Sequence, residues 1–305
     1  MGAVHVQTFP SNHFCRLFIK YQLESLLIEL NAWSIFSARN AFCSIALICL
    51  GMSQSAQAQS ASVSTKQLCN PGIVGVVGES LKIEDFTYGN GGVIVSDVCK
   101  VWPKDETITL VAIAYRATSD DVLNLAVAMV NNGSNKVIAS YKEMLGKQAD
   151  IQLGRGGLSI DTARYDVTKG ARAFGVDVTR GTIKECGESG LGRVRSLYVL
   201  AGNEIRPIIK GFYLSYWRFA PGGNLGWVNS ETAVMDATPA IETITLKIAI
   251  KKSLTNDYFD LSIFSVSAYD DGFKSDREPF QYELKFDGKQ YPLNEMNKAY
   301  LKWLR

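Results

Sequence analysis

The chain of 305 residues holds only two imidazoles, His5 and His13. Both precede an apolar stretch that reads as an export signal. Ser-His-Asp and Cys-His catalysis need an imidazole to take the nucleophile's proton near neutral pH. HExxH and carboxylate–histidine metal sites need it as a ligand. A chain that sheds its first 58 residues keeps no histidine, so these chemistries are excluded and no metal or cofactor is expected. Carboxylate-only chemistry stays open. Paired acids occur at Asp120/Asp121, Asp270/Asp271 and Glu185/Glu188, and a glycosidase needs two carboxyls roughly 5–10 Å apart across a cleft. All three pairs sit in polar breaks, where acids are mostly solvated. Gly187-Glu-Ser-Gly190 has its glycines misplaced for a nucleophile elbow and no base to serve it. No catalytic residue is assigned.

The strongest binding candidate is the aromatic run Phe212-Tyr-Leu-Ser-Tyr-Trp-Arg-Phe219 with the loop to Trp227. Strand alternation puts Tyr213, Ser215, Trp217 and Phe219 on one face and Leu214, Tyr216 and Arg218 on the other. An exposed face of this kind offers aromatic platforms beside a cation, suited to a sugar, a peptide or a protein. The candidates are Tyr216, Arg218, Trp227 and Trp217. Large aromatics tend to be buried, so Trp217 and Phe219 are expected in the core, and Tyr216, Arg218 and Trp227 toward solvent.

Residues 41–52 form an apolar run of the length of a signal-peptide core, preceded by Arg39 and followed by small residues ending at Ala58. It falls short of the roughly 20 apolar residues that span a bilayer. The expected organisation is an N-terminal extension with a cleavable signal over 1–58, then a mature region over 59–305 with a sub-boundary near 220–240. Residues 1–38 precede the signal; a start codon assigned too early and an amphipathic pre-sequence are the two explanations. Cys69, Cys99 and Cys186 survive cleavage into an oxidising compartment. Cys69–Cys99 is the favoured disulfide, with Cys99–Cys186 as the alternative.

The elements that must position any site are strands. Residues 107–116, 122–130 and 137–143 are apolar runs joined by Asp, Asn, Gly and Ser, which read as a β-meander. Residues 72–77 read as a short first strand and 93–98 as the next, broken by Trp102-Pro103. Short strands follow around the Arg155-Gly-Gly157 turn, then 171–178, a hairpin of 194–200 with 205–209, and one strand over 212–219. Two long alternating strands cover 241–250 and 259–268, and another covers 280–286. The only expected helix starts near Asn294, with Met296, Ala299, Tyr300 and Trp303 at helical spacing. The spacing of about 8–12 residues fits an all-β protein of antiparallel meanders, a sandwich or a propeller-like architecture, with one short C-terminal helix.

Residues 255–263, followed by 282–293 (Tyr282-Glu-Leu-Lys-Phe-Asp-Gly-Lys-Gln-Tyr-Pro-Leu293), resemble the endings of uncharacterised exported bacterial all-β proteins. The part around Asp260-Leu261 is similar to one degenerate blade of integrin-type calcium-binding propeller repeats. Lys252 and Leu254 stand where that loop places oxygen ligands, as calcium requires, so Asp260 reads as a turn residue. The resemblance implies an exported all-β protein.

The net charge is +2, with no basic stripe, which argues against a nucleic-acid partner. The expectation is a periplasmic or secreted, non-catalytic binding or interaction protein of the bacterial envelope. Its partner would be another protein, as for an immunity or inhibitor protein, or an envelope glycan. A carboxylate-only glycan hydrolase and a purely structural envelope protein are the alternatives. No membrane span is expected after signal cleavage.

Overall fold

The computed structural model describes residues 68–89, 91–116, 122–147, 153–154, 156–180, 189–219, 241–270, 275 and 277–304. All lie in the compact unit spanning residues 65–305. The expected signal, its cleavage site and the sub-boundary near 220–240 lie outside the described residues.

The first element corrects the sequence reading. Residues 72–77 are not a strand but part of helix α1, Pro71–Leu81. Asn70 caps it, its side chain accepting from Gly72 N at 2.8 Å, and Pro71 starts it with a preset φ. Val74, Val77 and Gly78 form the buried stripe. Any side chain at Gly78 would drive into Phe86, 2.7 Å from the nearest ring atom. Lys82 ends the helix in the left-handed region, φ 53°. Lys82 N donates to Glu79 O and Ile83 N to Gly78 O. Cap and packing thus override the strand preference of a Val/Ile run.

The remainder is antiparallel strand in three sheets. The first has the order β1-β2-β3-β4: β1 Ile94–Trp102, β2 Asp105–Arg116, β3 Val122–Asn131, β4 Lys136–Lys147. This contains the expected meander. The second has the order β5-β6-β8-β9: β5 Leu158–Asp166, β6 Arg172–Thr179, β8 Arg193–Ala201, β9 Glu204–Tyr213. The third has the order β13-β12-β11-β10-β7: β7 Ser189–Leu191, β10 Ser215–Phe219, β11 Ile241–Thr255, β12 Tyr258–Tyr269, β13 Gln281–Leu284. A C-terminal helix, α2, spans Asn294–Leu304. The expected all-β class with a short C-terminal helix is present, in sandwich form.

Three cores join the layers. Cys69, Val74, Val77 and Phe86 pack on Val111, Ile113, Ala126 and Ala128, so α1 covers the outer face of the first sheet. The opposite face, with Leu110, Ala112, Leu125 and Val127, packs on Phe174, Val176 and Tyr198 of the second sheet. Burial on both faces is why β2 and β3 are continuous apolar runs rather than alternating ones. The far face of the second sheet, with Ala173, Leu197 and Phe212, meets Ile244, Leu246, Leu261 and Ile263 of the third, and Met296 and Tyr300 of α2 close that core.

A corner joins the second and third sheets. The expected single strand over 212–219 is divided there: β9 ends at Tyr213 and β10 begins at Ser215. Between them, Leu214 N donates to Arg193 O and Leu214 O accepts from Leu246 N, both at 2.9 Å, so one residue serves both sheets. β7 and β8 cross at the same corner through Gly192, where a Cβ would lie 2.5 Å from Ser215 Oγ. Only glycine lets the two crossing segments approach so closely. Asp260 is likewise not a turn residue. The turn is Asn256-Asp257, both at positive φ, and Asp260 is buried within β12.

Candidate functional site

Trp227, Cys186, Asp120, Asp121, Glu185, Glu188 and Asp271 lie outside the described residues. Asp270 directly follows β12, its carboxylate accepting from Ile241 N at 3.2 Å. Cys69 and Cys99 form the favoured disulfide, which ties the residue before the Asn70 cap to β1. Both cysteines are buried, and Cys69 N donates to the buried Asp97 at 2.7 Å.

The aromatic strand departs from expectation in part: Trp217 is buried as expected, but Tyr216 and Arg218 are half-buried. Tyr216 pairs in register with Ile244 and Arg218 with Glu242, so both face the inner core rather than solvent. Tyr216 packs against that core. Arg218 Nε donates to the fully buried Glu242 at 2.7 Å and its Nη1 to Leu304 O at 3.0 Å. The reason is α2, which covers the face that strand alternation alone would leave open. Arg277 works beside Arg218: it donates to Trp303 O at 2.6 Å and lies over the Trp303 ring. Two guanidiniums therefore hold the last carbonyls of α2, where cations complement the helix dipole. Burial would push the Glu242 carboxyl up, but the Ser275 hydroxyl and the two arginines hold it below its ordinary range. Trp217, on the other face, is buried with its ring edge to Phe219.

A second cluster lies between the second and third sheets. Arg195 grips Asp177 with Nε at 2.6 Å and Nη2 at 2.8 Å, the two-pronged geometry that suits a carboxylate. Its Nη1 reaches Asp161 at 2.5 Å and Tyr165 Oη at 2.6 Å. The Tyr165 hydroxyl donates to Asp161 at 2.8 Å, and Ala163 N does the same. Register assembles the group: Asp161 lies opposite Gly175, and Asp177 opposite Arg195. Gly175 leaves room for the guanidinium, since a Cβ there would sit 3.3 Å from Arg195 Cδ. Burial pushes the Tyr165 phenol well up. Burial would raise Asp161 too, but the Arg195 charge and the Ala163 N–H bring it below the usual carboxylate range. Two carboxylates close to one another thus share one cation. No member is left as a general acid.

A third cluster closes the rim between β4 and β9. Tyr198 donates to Glu143 at 2.7 Å, and Lys210 reaches the same carboxylate at 2.9 Å and Tyr141 Oη at 3.1 Å. On the α1 side of the first sheet is an open cavity of about 620 Å³ lined by Lys82, Tyr115, Arg116, Lys142 and Glu143. Two of its charged groups are engaged elsewhere: Lys142 with Leu81 O, and Glu143 with Tyr198 and Lys210.

A smaller cavity, about 430 Å³, differs in kind. It lies where the β1–β2 hairpin meets the start of β6 and is lined by Trp102, Lys104, Asp105, Ile108, Gly170, Ala171, Arg172 and Leu200. Trp102 is 4% exposed, packed edge-on to Phe174, yet its indole N–H has no partner. Arg172 gives Nη2 to Thr162 O at 2.7 Å, while its buried Nε–H has none. Lys104 lies 5.6 Å over the Trp102 ring and donates to Gly170 O. A buried donor left without a partner costs about 1–3 kcal/mol, and two such donors, themselves closed off from solvent, belong to residues that line this cavity.

Comparison with family models, curated proteins and solved structures returned no match. Among the described residues no group of His, Cys, Asp and Glu could hold a metal ion, and no helix is long and apolar enough to cross a membrane. Sequence reading missed the cavity because its walls are two hairpin turns far apart in the chain. It missed the Arg195 cluster because register is needed to see it. Asp177, standing on one strand face with Ala173 and Gly175, was the visible hint.

Proposed function

We propose that the protein is an exported binding or interaction protein of the bacterial envelope, acting through the cavity at Trp102 and Arg172. The observation that carries this reading is the cavity of about 430 Å³ itself, where Trp102, Lys104, Asp105 and Arg172 stand beside Ile108, Ala171 and Leu200, a volume in the range of small-molecule sites. Export is supported by the signal-like stretch and by the buried Cys69–Cys99 disulfide that follows it, since disulfides persist in oxidising compartments.

The alternative of a carboxylate-only glycan hydrolase needs a carboxylic acid whose pKa is raised. Among the described residues, the carboxyls that depart from their ordinary values, Asp105, Asp161, Glu242, Asp260, Glu283 and Asp287, are all lowered. Affinity capture from periplasmic extract tests the proposal. The native protein should retain a ligand or partner that the double variant Trp102→Phe, Arg172→Gln releases. Equal capture by both, or glycan cleavage by the native protein, would contradict it.

A further inference from the structure

The two cavities lie at opposite ends of β2. The one at Trp102 adjoins Asp105, where the strand begins. The larger, about 620 Å³ and also within the range of small-molecule sites, lies where the strand ends at Tyr115 and Arg116. Register builds its floor. Tyr115, Asn124 and Met144 are directly opposed across β2, β3 and β4, so their side chains share one face. It is the face whose Val111, Ile113, Ala126 and Ala128 pack under α1. The helix ends at Leu81, and the residues after it, Lys82, Ile83 and Glu84, form the wall with Val93. Backbone bonds fix that wall before any ligand arrives. Ile83 N donates to Gly78 O at 3.0 Å, Val93 N to Asp85 O at 3.1 Å and Arg116 N to Val93 O at 2.9 Å. A pre-set wall lowers the ordering cost of binding.

Two neutral polar groups on the floor are both free and accessible. The Tyr115 ring is held edge-on by Phe86, and burial pushes its phenol pKa up, so the hydroxyl keeps its proton at neutral pH. A phenol hydroxyl and a carboxamide each donate and accept. Among the described residues, neither the Tyr115 hydroxyl nor the Asn124 carboxamide has a partner, and neither is sealed from solvent. The charges around them balance. Lys142 is held by Leu81 O, Arg116 is itself engaged, and Glu143 is shared by Tyr198 and Lys210. That leaves Lys82 and Glu84, one charge of each sign. A ligand of either net charge would meet a like charge, and a purely apolar one would leave the floor's polar groups uncovered. Hydroxyl groups, which donate and accept alike, match them. We propose that this cavity binds a neutral carbohydrate of one or two rings, with hydroxyls on Tyr115 and Asn124 and carbon surface against Ile83, Val93 and Met144.

Titration of the 15N-labelled protein with glucose, galactose and cellobiose, beside glucuronate and glucosamine, tests the assignment. A neutral sugar should shift the Asn124 side-chain amide and the backbone amides of Lys82, Ile83 and Glu84 with saturation, and more tightly than either charged sugar. Asn124→Ala and Tyr115→Phe should each weaken that binding by about threefold to tenfold, the loss of one neutral hydrogen bond. Lys251→Ala, on the third sheet, should leave it unchanged. Thermal melts of each variant establish that it is folded. Glucuronate or glucosamine binding at these amides as tightly as the best neutral sugar would overturn the neutral class. No saturable shift at these amides with any of the five would overturn the site. The cavity at Trp102 is read by its own double variant, so either site can fail without the other.

Discussion

Two arginines of the second sheet show opposite states of the same chemistry. Arg195, between the second and third sheets, spends its donors on Asp177, Asp161 and Tyr165. Arg172, at the rim facing the first sheet, keeps a buried Nε–H unpaired beside the unpaired indole of Trp102. The first is a closed account of charge and hydrogen bonds; a fold uses such a cluster to fix register between β5, β6 and β8. The second belongs to a residue that lines a cavity, although its unpaired Nε is itself closed off from solvent. The contrast teaches that a buried cation gripped by carboxylates fixes register, whereas one held by a single carbonyl leaves part of its hydrogen-bonding capacity unmet.

Breaking the closed cluster should have the largest effect. Asp177→Ala leaves Arg195 buried without its two-pronged partner, and urea unfolding should show a loss of about 3–5 kcal/mol. A loss under 1 kcal/mol would mean that Asp161 and Tyr165 carry the guanidinium alone. Glu242 extends the comparison to the third sheet, because it holds Arg218 and Arg277 against the end of α2. Glu242→Gln should cost about 1.5–3 kcal/mol, the value of a charged hydrogen bond. Hydrogen exchange should quicken in α2 ahead of the rest of the fold.

The pH dependence follows from the same clusters. Asp161 and Glu242 have lowered folded pKa values. Their stabilisation is therefore present above the unfolded carboxylate range, about pH 4, and is lost as pH falls through the folded values. Tyr165, Tyr198, Tyr291 and Tyr300 are raised by burial. Their contribution is intact below about pH 10, the unfolded phenol value, and is lost as pH rises toward the folded values. Thermal melts should show a plateau between these limits with both flanks falling; a midpoint that climbs on acidification from pH 5 to pH 3 would refute the assignment of the carboxylates. The smallest expected effect sharpens the comparison most. Trp102→Phe removes a donor that has no partner and keeps an aromatic ring against Phe174, so unliganded stability should change by less than about 1 kcal/mol.

How much of this was readable beforehand differs by region. The meander of the first sheet was legible because β2 and β3 are buried on both faces and so appear as unbroken apolar runs. Helix α1 was not: Ile73, Val74, Val76 and Val77 favour strands, and the Asn70-Pro71 start that decides the matter is two residues long. The run 212–219 showed its alternation, and the two faces are as spaced. How far the Tyr216 and Arg218 face is covered depended on α2, more than 70 residues later, where Arg218 holds the Leu304 carbonyl. The cavity was hidden for a like reason. Trp102-Pro103 read as a break, and only tertiary pairing brings Lys104 to Gly170.

The measurement closest to the central claim is the indole N–H spectrum of the 15N-labelled protein. Trp102 Nε1–H is assigned as the resonance missing from the Trp102→Phe variant. A buried donor without a partner should lie upfield of the hydrogen-bonded indoles and exchange slowly with solvent. A Trp102 resonance at a strongly hydrogen-bonded shift, or one that exchanges as fast as an exposed indole, would contradict the claim.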